Sequence, residues 1–236
     1  MTKVKLNISI PTELAHITLG QYQDYLKVVE KNKDDENAGD FLNLKALEIF
    51  CGLELKDSYN LPLKHFNFAL EQLEKCFSEE TPLIREWKFR DPNGVEQLMG
   101  FIPKLDDMTI GEYMDLDKYI SDWQQMHKAM AVLYRPIRVK HKDSYSIDEY
   151  SGTETYAQAM KSTPVSIAIG ALVFFYRLGT KLCEYIIPYL AQVEGLSKKQ
   201  KDDLQKIGAG IRLSMHSARE TFLGSIKQQK FLYTKQ

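Results

Sequence analysis

The chain has 236 residues, of which 44% are hydrophobic and 27% charged, enough apolar content to bury a core and to exclude wholesale disorder. Its 31 basic and 32 acidic residues leave a net charge of −1, which argues against a dedicated nucleic-acid binder with its usual basic excess. The length predicts one or two domains. Cys51, Cys76 and Cys183 lie far apart and form no CxxC pair. Neither a zinc knuckle nor a redox dithiol is therefore written here, and a reducing compartment is expected.

Taken in chain order, residues 4–10 alternate apolar and polar positions, which predicts a half-buried strand ended by Pro11. The N-terminal residues lack the uninterrupted apolar run of a signal peptide. A helix is predicted from Thr18, a polar loop over residues 31–40, and two helices over 41–51 and 62–77. In the second of these, Phe66, Ala69, Leu70, Leu73 and Phe77 make one apolar face. Trp87 and Phe89 alternate with charges before Asp91-Pro92-Asn93-Gly94, a hairpin turn signal with a second strand predicted over 95–102. The N-terminal strand is expected to pair with this hairpin.

A long helix is predicted from Thr109, carrying the stripe Ile120, Trp123, His127, Met130 and Tyr134 and stopped by Pro136. Residues 138–162 are polar and tyrosine-rich, a long loop or arm. Thr163-Pro164 reads as cap and first position of a helix running to Ile187, which Pro188 breaks or kinks. Its apolar run over 165–176 is too short for a membrane span of about 20 residues and predicts a buried core helix. Gly195 is a stop signal, and Ser197 with Gln200 forms a capping box for a last helix. Leu204, Ile207, Ile211, Met215, Ala218 and Phe222 step along that helix as an apolar seam, suited to packing within the chain or against a partner. The predicted class is α+β and predominantly helical. Residues 1–137 form an α+β part with two strand-to-helix repeats, 138–162 an extended arm or loop, and 163–236 an all-helical part.

The repeat is the most specific feature. Ile10-Pro11 leads into Ile17-Thr-Leu-Gly-Gln-Tyr-Gln-Asp24, and Ile102-Pro103 into Met108-Thr-Ile-Gly-Glu-Tyr-Met-Asp115. Thr18 and Thr109 are predicted N-caps, with Gln21 and Glu112 three residues on reaching back to the cap backbone. Ile17 and Met108 precede the caps, where a hydrophobic staple anchors the chain. Gly20 and Gly111 each cost helix propensity, roughly 1 kcal/mol against Ala, which predicts close approach of another backbone at both sites.

Candidate chemistry is sparse. Asp106, Asp107, Glu112, Asp115 and Asp117 could serve acid–base or metal chemistry, but acids also favour helix N-termini through the dipole, and the other copy carries Gln21. His127 on its apolar stripe reads as a core or interface histidine. His16, His65, His141 and His216 form no zinc-hydrolase pair. Ser214 lacks a nucleophile elbow, and Gly208-Ala-Gly210 lacks the third glycine of a dinucleotide fingerprint. The run from Tyr134 to Lys142 is basic, and nucleic acid is the lesser reading beside a solvated connector. Arg135 and Arg138 in this run, with Tyr145, Tyr150 and Tyr156 after it, suit either a segment lying on a partner or one packed on its own domain. Leu204, Ile211, Met215 and Phe222 complete the interface candidates. No cofactor, metal or catalytic residue is assigned.

The segments Ile-Thr-Leu-Gly-Gln-Tyr and Gly-Phe-Ile-Pro-Lys-Leu-Asp-Asp-Met-Thr-Ile-Gly-Glu-Tyr, with Met130-Ala-Val-Leu-Tyr-Arg-Pro-Ile137, resemble small proteins of tailed bacteriophages, including those in virion gene clusters of crAss-like phages. The resemblance covers residues 8–137 and continues weakly to Tyr176. It implies a non-enzymatic, multi-copy virion component at the tail, portal vertex or capsid interior, made in the host cytoplasm and bound to other virion or assembly proteins. The second reading is a tail assembly chaperone absent from the finished particle. The third is an enzyme with an acidic site near Asp115. On the first reading, the arm lies extended along a neighbour and no membrane is involved.

Overall fold

The computed structural model describes residues 8–90, 96–142 and 144–192, the last stretch from 179 onward by its backbone alone. Four helices come first: α1 Leu19–Lys31, α2 Gly39–Cys51, the short α3 Leu55–Ser58 and α4 Leu63–Phe77. Strands β1 Glu86–Arg90 and β2 Glu96–Phe101 follow, then α5 Ile110–Tyr119, α6 Met126–Leu133, β3 Tyr134–His141, β4 Ser144–Ile147, α7 Glu154–Met160 and α8 Val165–Gln192. The chain is thus mixed α and β, with one four-stranded antiparallel sheet in the order β1-β2-β3-β4.

Each element follows from local chemistry. α2 ends where Gly52 takes φ 68, the left-handed cap that costs glycine nothing. α4 turns Ala69, Leu70, Leu73 and Cys76 inward, three and four residues apart. In the sheet, Trp87 pairs with Met99, Gly100 with Arg135 and Ile137 with Ile147. Aromatic side chains tie sheet to helix: Phe101 meets Tyr134 at 5.3 Å and Phe174 of α8 at 5.7 Å between ring centroids, both edge-on. The first two turns of α8 bury Val165, Ile167, Ala168, Ile169, Ala171 and Leu172. No described helix is long and apolar enough to cross a membrane.

Several expectations are corrected. Residues 8–10, the described end of the predicted N-terminal strand, are in no strand, although Ile8 and Ile10 rest against the core. They do not pair with the hairpin, whose β2 edge is taken by β3. The helix predicted from Thr109 to Tyr134 is two helices. Asp122 breaks it by accepting the Gln124 N–H at 2.8 Å, a local turn that drives Trp123 into the core against Tyr22. Pro136 lies inside β3, where its carbonyl accepts from Asp148 N at 2.9 Å. Backbone helix continues through Pro188 to Gln192, since a proline removes one hydrogen bond of the ladder without obliging the chain to leave it.

The largest correction concerns 138–162. This segment completes β3, forms β4 and α7, and folds back on its own body rather than extending as an arm. α7 lies against α6 and buries Ala157 and Met160 completely. One buried cluster draws on α1, α2, α4, the sheet, α5, α6, α7 and the start of α8, so the described residues of 1–137 and the start of 163–236 share a core. The predicted last helix and its seam lie outside the described residues.

Candidate interaction site

The two repeat units begin alike. A single 3-10 turn, Leu14–His16 or Leu105–Asp107, precedes each cap. Thr18 Oγ1 accepts from Gln21 N at 3.2 Å while Gln21 Oε1 accepts from Thr18 N at 2.9 Å. Thr109 Oγ1 accepts from Glu112 N at 3.2 Å while Glu112 Oε2 accepts from Thr109 N at 2.7 Å. Both are complete capping boxes. In each, the third-position side chain also reaches a further element. Gln21 Nε2 donates to Ile49 O of α2 at 2.8 Å, and Glu112 Oε1 accepts from Arg135 Nη2 of β3 at 2.5 Å.

The units then diverge. At α1, an extended segment runs over the first turn: Leu19 N donates to Thr163 O and Gly20 N to Lys161 O, while Val165 N donates to Ile17 O, all at 2.8 Å. Thr18 and Pro164 form an antiparallel bridge. A Cβ on Gly20 would stand 3.1 Å from Lys161 O, so the expected close backbone approach is present here. At α5 it is not, because the nearest atom to a Cβ on Gly111 is Tyr150 Cε1 at 3.9 Å. The amides of Ile110 and Gly111 and the carbonyl of Met108 have no main-chain partner among the described residues.

Burial follows the same division. Leu19, Tyr22 and Gln23 are 0%, 1% and 3% exposed, and their counterparts Ile110, Tyr113 and Met114 are 80%, 62% and 65% exposed. These three side chains form one face of the first turns of α5. Exposed Asp106, Asp107 and Asp117 adjoin it in sequence.

Beside that face lies a polar cluster that Arg135, Arg138, Tyr150 and Tyr156 enter. The Glu112–Arg135 pair is buried, each side chain 6% exposed. Burial works to raise the Glu112 carboxyl, but the Thr109 amide and hydroxyl and the Arg135 guanidinium outweigh it and hold the group below its ordinary value. Arg135 lies over the Tyr150 ring at 5.4 Å, its Nε and Nη1 without an acceptor among the described residues. The Tyr150 hydroxyl donates to Asp115, and burial, with Asp115 beside it, pushes its pKa up. Arg138 pairs with Asp148, whose other oxygen accepts from the Tyr156 hydroxyl at 3.0 Å. The Tyr145 hydroxyl donates to Phe101 O at 2.8 Å, crossing the sheet.

The sequence left Arg135, Arg138, Tyr145, Tyr150 and Tyr156 open to a partner or to their own domain, and in the described structure each makes the contacts above within its own chain. Leu204, Ile211, Met215 and Phe222 lie outside the described residues. The exposed face at Ile110, Tyr113 and Met114 was missed, although the repeat itself held a signal: these positions match residues of α1 that had to be inside.

Other groups are accounted for without chemistry. Burial raises the Cys51 thiol to about 11, away from a reactive thiolate. His127 is buried, with Gln23 Nε2 at 3.1 Å from its Nδ1. Among the described residues, no group of His, Cys, Asp and Glu could hold a metal ion. Compared with protein-family models, curated proteins and solved structures, the chain matches none.

Proposed function

We propose that this protein is a virion structural component of a tailed phage, made in the host cytoplasm and working in multiple copies through protein–protein contacts rather than turnover. The observation that carries this reading is the exposed apolar face of α5, where Ile110, Tyr113 and Met114 stand open while their repeat counterparts are core residues. A rigid cap and a buried ion pair hold that face in place, as a docking surface requires. The phage resemblance supplies the setting, and the sequence pattern over residues 204–222, outside the described residues, predicts an apolar seam suited to a partner.

Mass spectrometry of purified particles tests the proposal. The chain is expected at a fixed copy number per particle. Its presence in infected-cell lysate but absence from finished particles would replace this reading with the assembly chaperone. A measurable turnover abolished by Asp115→Ala would replace it with the enzyme.

A further inference from the structure

We propose that the junction between α1 and the turn into α6 is an acid-operated latch, closed only while His127 is neutral and opened by its protonation in the otherwise folded chain. The inference is independent of the virion reading above. It starts from one amide. Gln23 Nε2 donates to Trp123 O at 2.7 Å and lies 3.1 Å from His127 Nδ1, with all three residues buried. A carbonyl can only accept, so Trp123 O decides which way the Gln23 amide faces. Nδ1 is therefore an acceptor too, and the neutral ring carries its proton on Nε2. The cation carries a proton on both nitrogens, and its Nδ1–H would meet the Gln23 N–H. Turning the amide over sets Gln23 Oε1 against Trp123 O instead. Neither orientation serves the charged ring.

The charged surroundings act in the same sense. α1 brings Lys27, paired with Asp24, and α6 brings Lys128. α7 and the residue after it bring Glu154 and Lys161, with Lys128 3.5 Å from Glu154. α5 and β3, which also pack against α6, bring the Tyr119 ring beside Lys128 and the Glu112–Arg135 pair. Three lysines and one glutamate thus act on the ring, and a further positive charge is unfavourable there. The closed junction also carries an unmet polar group. Gln124 Nε2 donates to Gln23 O at 3.0 Å, but Gln124 Oε1 is buried without a partner among the described residues. Water satisfies it once the junction opens. What the latch holds shut is aromatic. The Trp123 ring stands edge-on to Tyr22 at 5.0 Å between centroids, and Tyr22 is the repeat counterpart of exposed Tyr113. Opening uncovers Tyr22 and Trp123 and gives α1 the kind of face that α5 already shows. A buried histidine whose partners cannot accept its charge is the element through which packed interfaces respond to pH.

Trp87 and Trp123 are the chain's two tryptophans, so in the full-length chain carrying Trp87→Phe the fluorescence reports Trp123 alone. Acrylamide quenching of Trp123 is expected to rise severalfold, in one step, as the pH falls through the His127 titration followed by NMR of the ring. The circular dichroism spectrum is expected to be retained across that step. Lys161→Gln keeps the main-chain carbonyl that holds Gly20 but removes a charge that opposes protonation. It is expected to move the ring titration and the Trp123 step to higher pH together. His127→Gln is expected to lose the step. A ring that titrates while Trp123 stays shielded overturns the proposal, since the charge is then accommodated in the closed junction. So does a Trp123 step that survives in His127→Gln, or one that stays where it was when Lys161→Gln moves the ring titration. Loss of the circular dichroism spectrum at the same pH overturns it equally, because the event is then global unfolding.

Discussion

Glu112 Oε1 and Arg135 Nη2 meet at 2.5 Å with both side chains almost wholly buried, joining the first turn of α5 to the central sheet. Removing one member strands the other. Glu112→Gln keeps the cap geometry, as Gln21 does in the other repeat, but leaves the Arg135 charge buried without its counter-ion. We expect a loss of about 3–5 kcal/mol in urea denaturation. Exchanging both for apolar residues, Glu112→Leu with Arg135→Met, should recover much of it, and a double-mutant cycle should give a coupling on the order of 1–3 kcal/mol.

The pair also predicts an acid limb. Glu112 titrates below its ordinary value of 4.5 in the folded chain, so the unfolded chain binds its proton first as pH falls. The stability it contributes is whole above that ordinary value and is lost as pH drops through the folded one. Asp148, held low by Arg138 and Tyr156 against the opposing effect of burial, adds in the same direction. Denaturation midpoints measured from pH 6 downward should fall below about 4.5, with a shallower fall in Glu112→Gln.

The caps show how far the sequence could be read. Thr18, Gln21, Thr109 and Glu112 sit three residues apart, and capping is a local event decided within one turn. The hairpin was legible for the same reason, from alternation and a four-residue turn. What was not legible depends on distant partners. Arg135 looked like part of a basic surface run because Glu112 lies 23 positions earlier and only the β2–β3 pairing brings β3 beside α5. Residues 138–162 looked like an arm because they are held by main-chain pairing to β3, by tyrosine hydroxyls bonded at long range and by a single short helix packed on α6, none of which leaves a long period in the sequence. The break at Asp122 was hidden because the apolar stripe continues in phase across it.

His127 gives a second, higher pH transition. Burial lowers its pKa, and Lys161 and Lys128 act in the same direction, so the folded chain holds the ring neutral. With the Gln23 amide as donor, Nδ1 is the acceptor. A base depressed on folding stabilises fully above its unfolded value and less as pH falls below it. Stability should therefore decline from about pH 6.5 downward. In His127→Gln, where nothing titrates, that part of the profile should flatten, while two-dimensional NMR of the wild-type ring should report a midpoint below the ordinary value of 6.5.

The two repeat glycines should respond differently to the same change. Gly111→Ala places its Cβ in open contact at 3.9 Å, on an exposed helical turn, and should stabilise by up to about 1 kcal/mol through helix propensity. Gly20→Ala gains the same propensity but drives its Cβ to 3.1 Å from Lys161 O. That carbonyl cannot retreat freely, since it accepts the Gly20 N–H. Thermal melts should show Gly20→Ala less favourable than Gly111→Ala, and equal effects would mean that the segment does not lie on α1.

The last prediction separates a folded segment from a dispensable arm. Deleting residues 138–162 removes half of β3, all of β4 and α7, and the Lys161 carbonyl that holds the start of α1. It exposes the face of α6 on which Ala157 and Met160 are fully buried. An arm made for a partner would leave the rest of the chain as stable as before. Here the deletion should abolish the cooperative unfolding transition. A point change gives the graded form of the same test: Met160→Ala empties a fully buried site and should cost about 2–5 kcal/mol, read by chemical denaturation. Tyr156→Phe, which removes only the hydroxyl bonded to Asp148 beside the Arg138 pair, should cost about 1 kcal/mol. An order of effects that runs from the deletion through Met160→Ala to Tyr156→Phe places the stability of the segment in its packing against α6. A deletion variant that still unfolds cooperatively at the wild-type midpoint would return 138–162 to the surface.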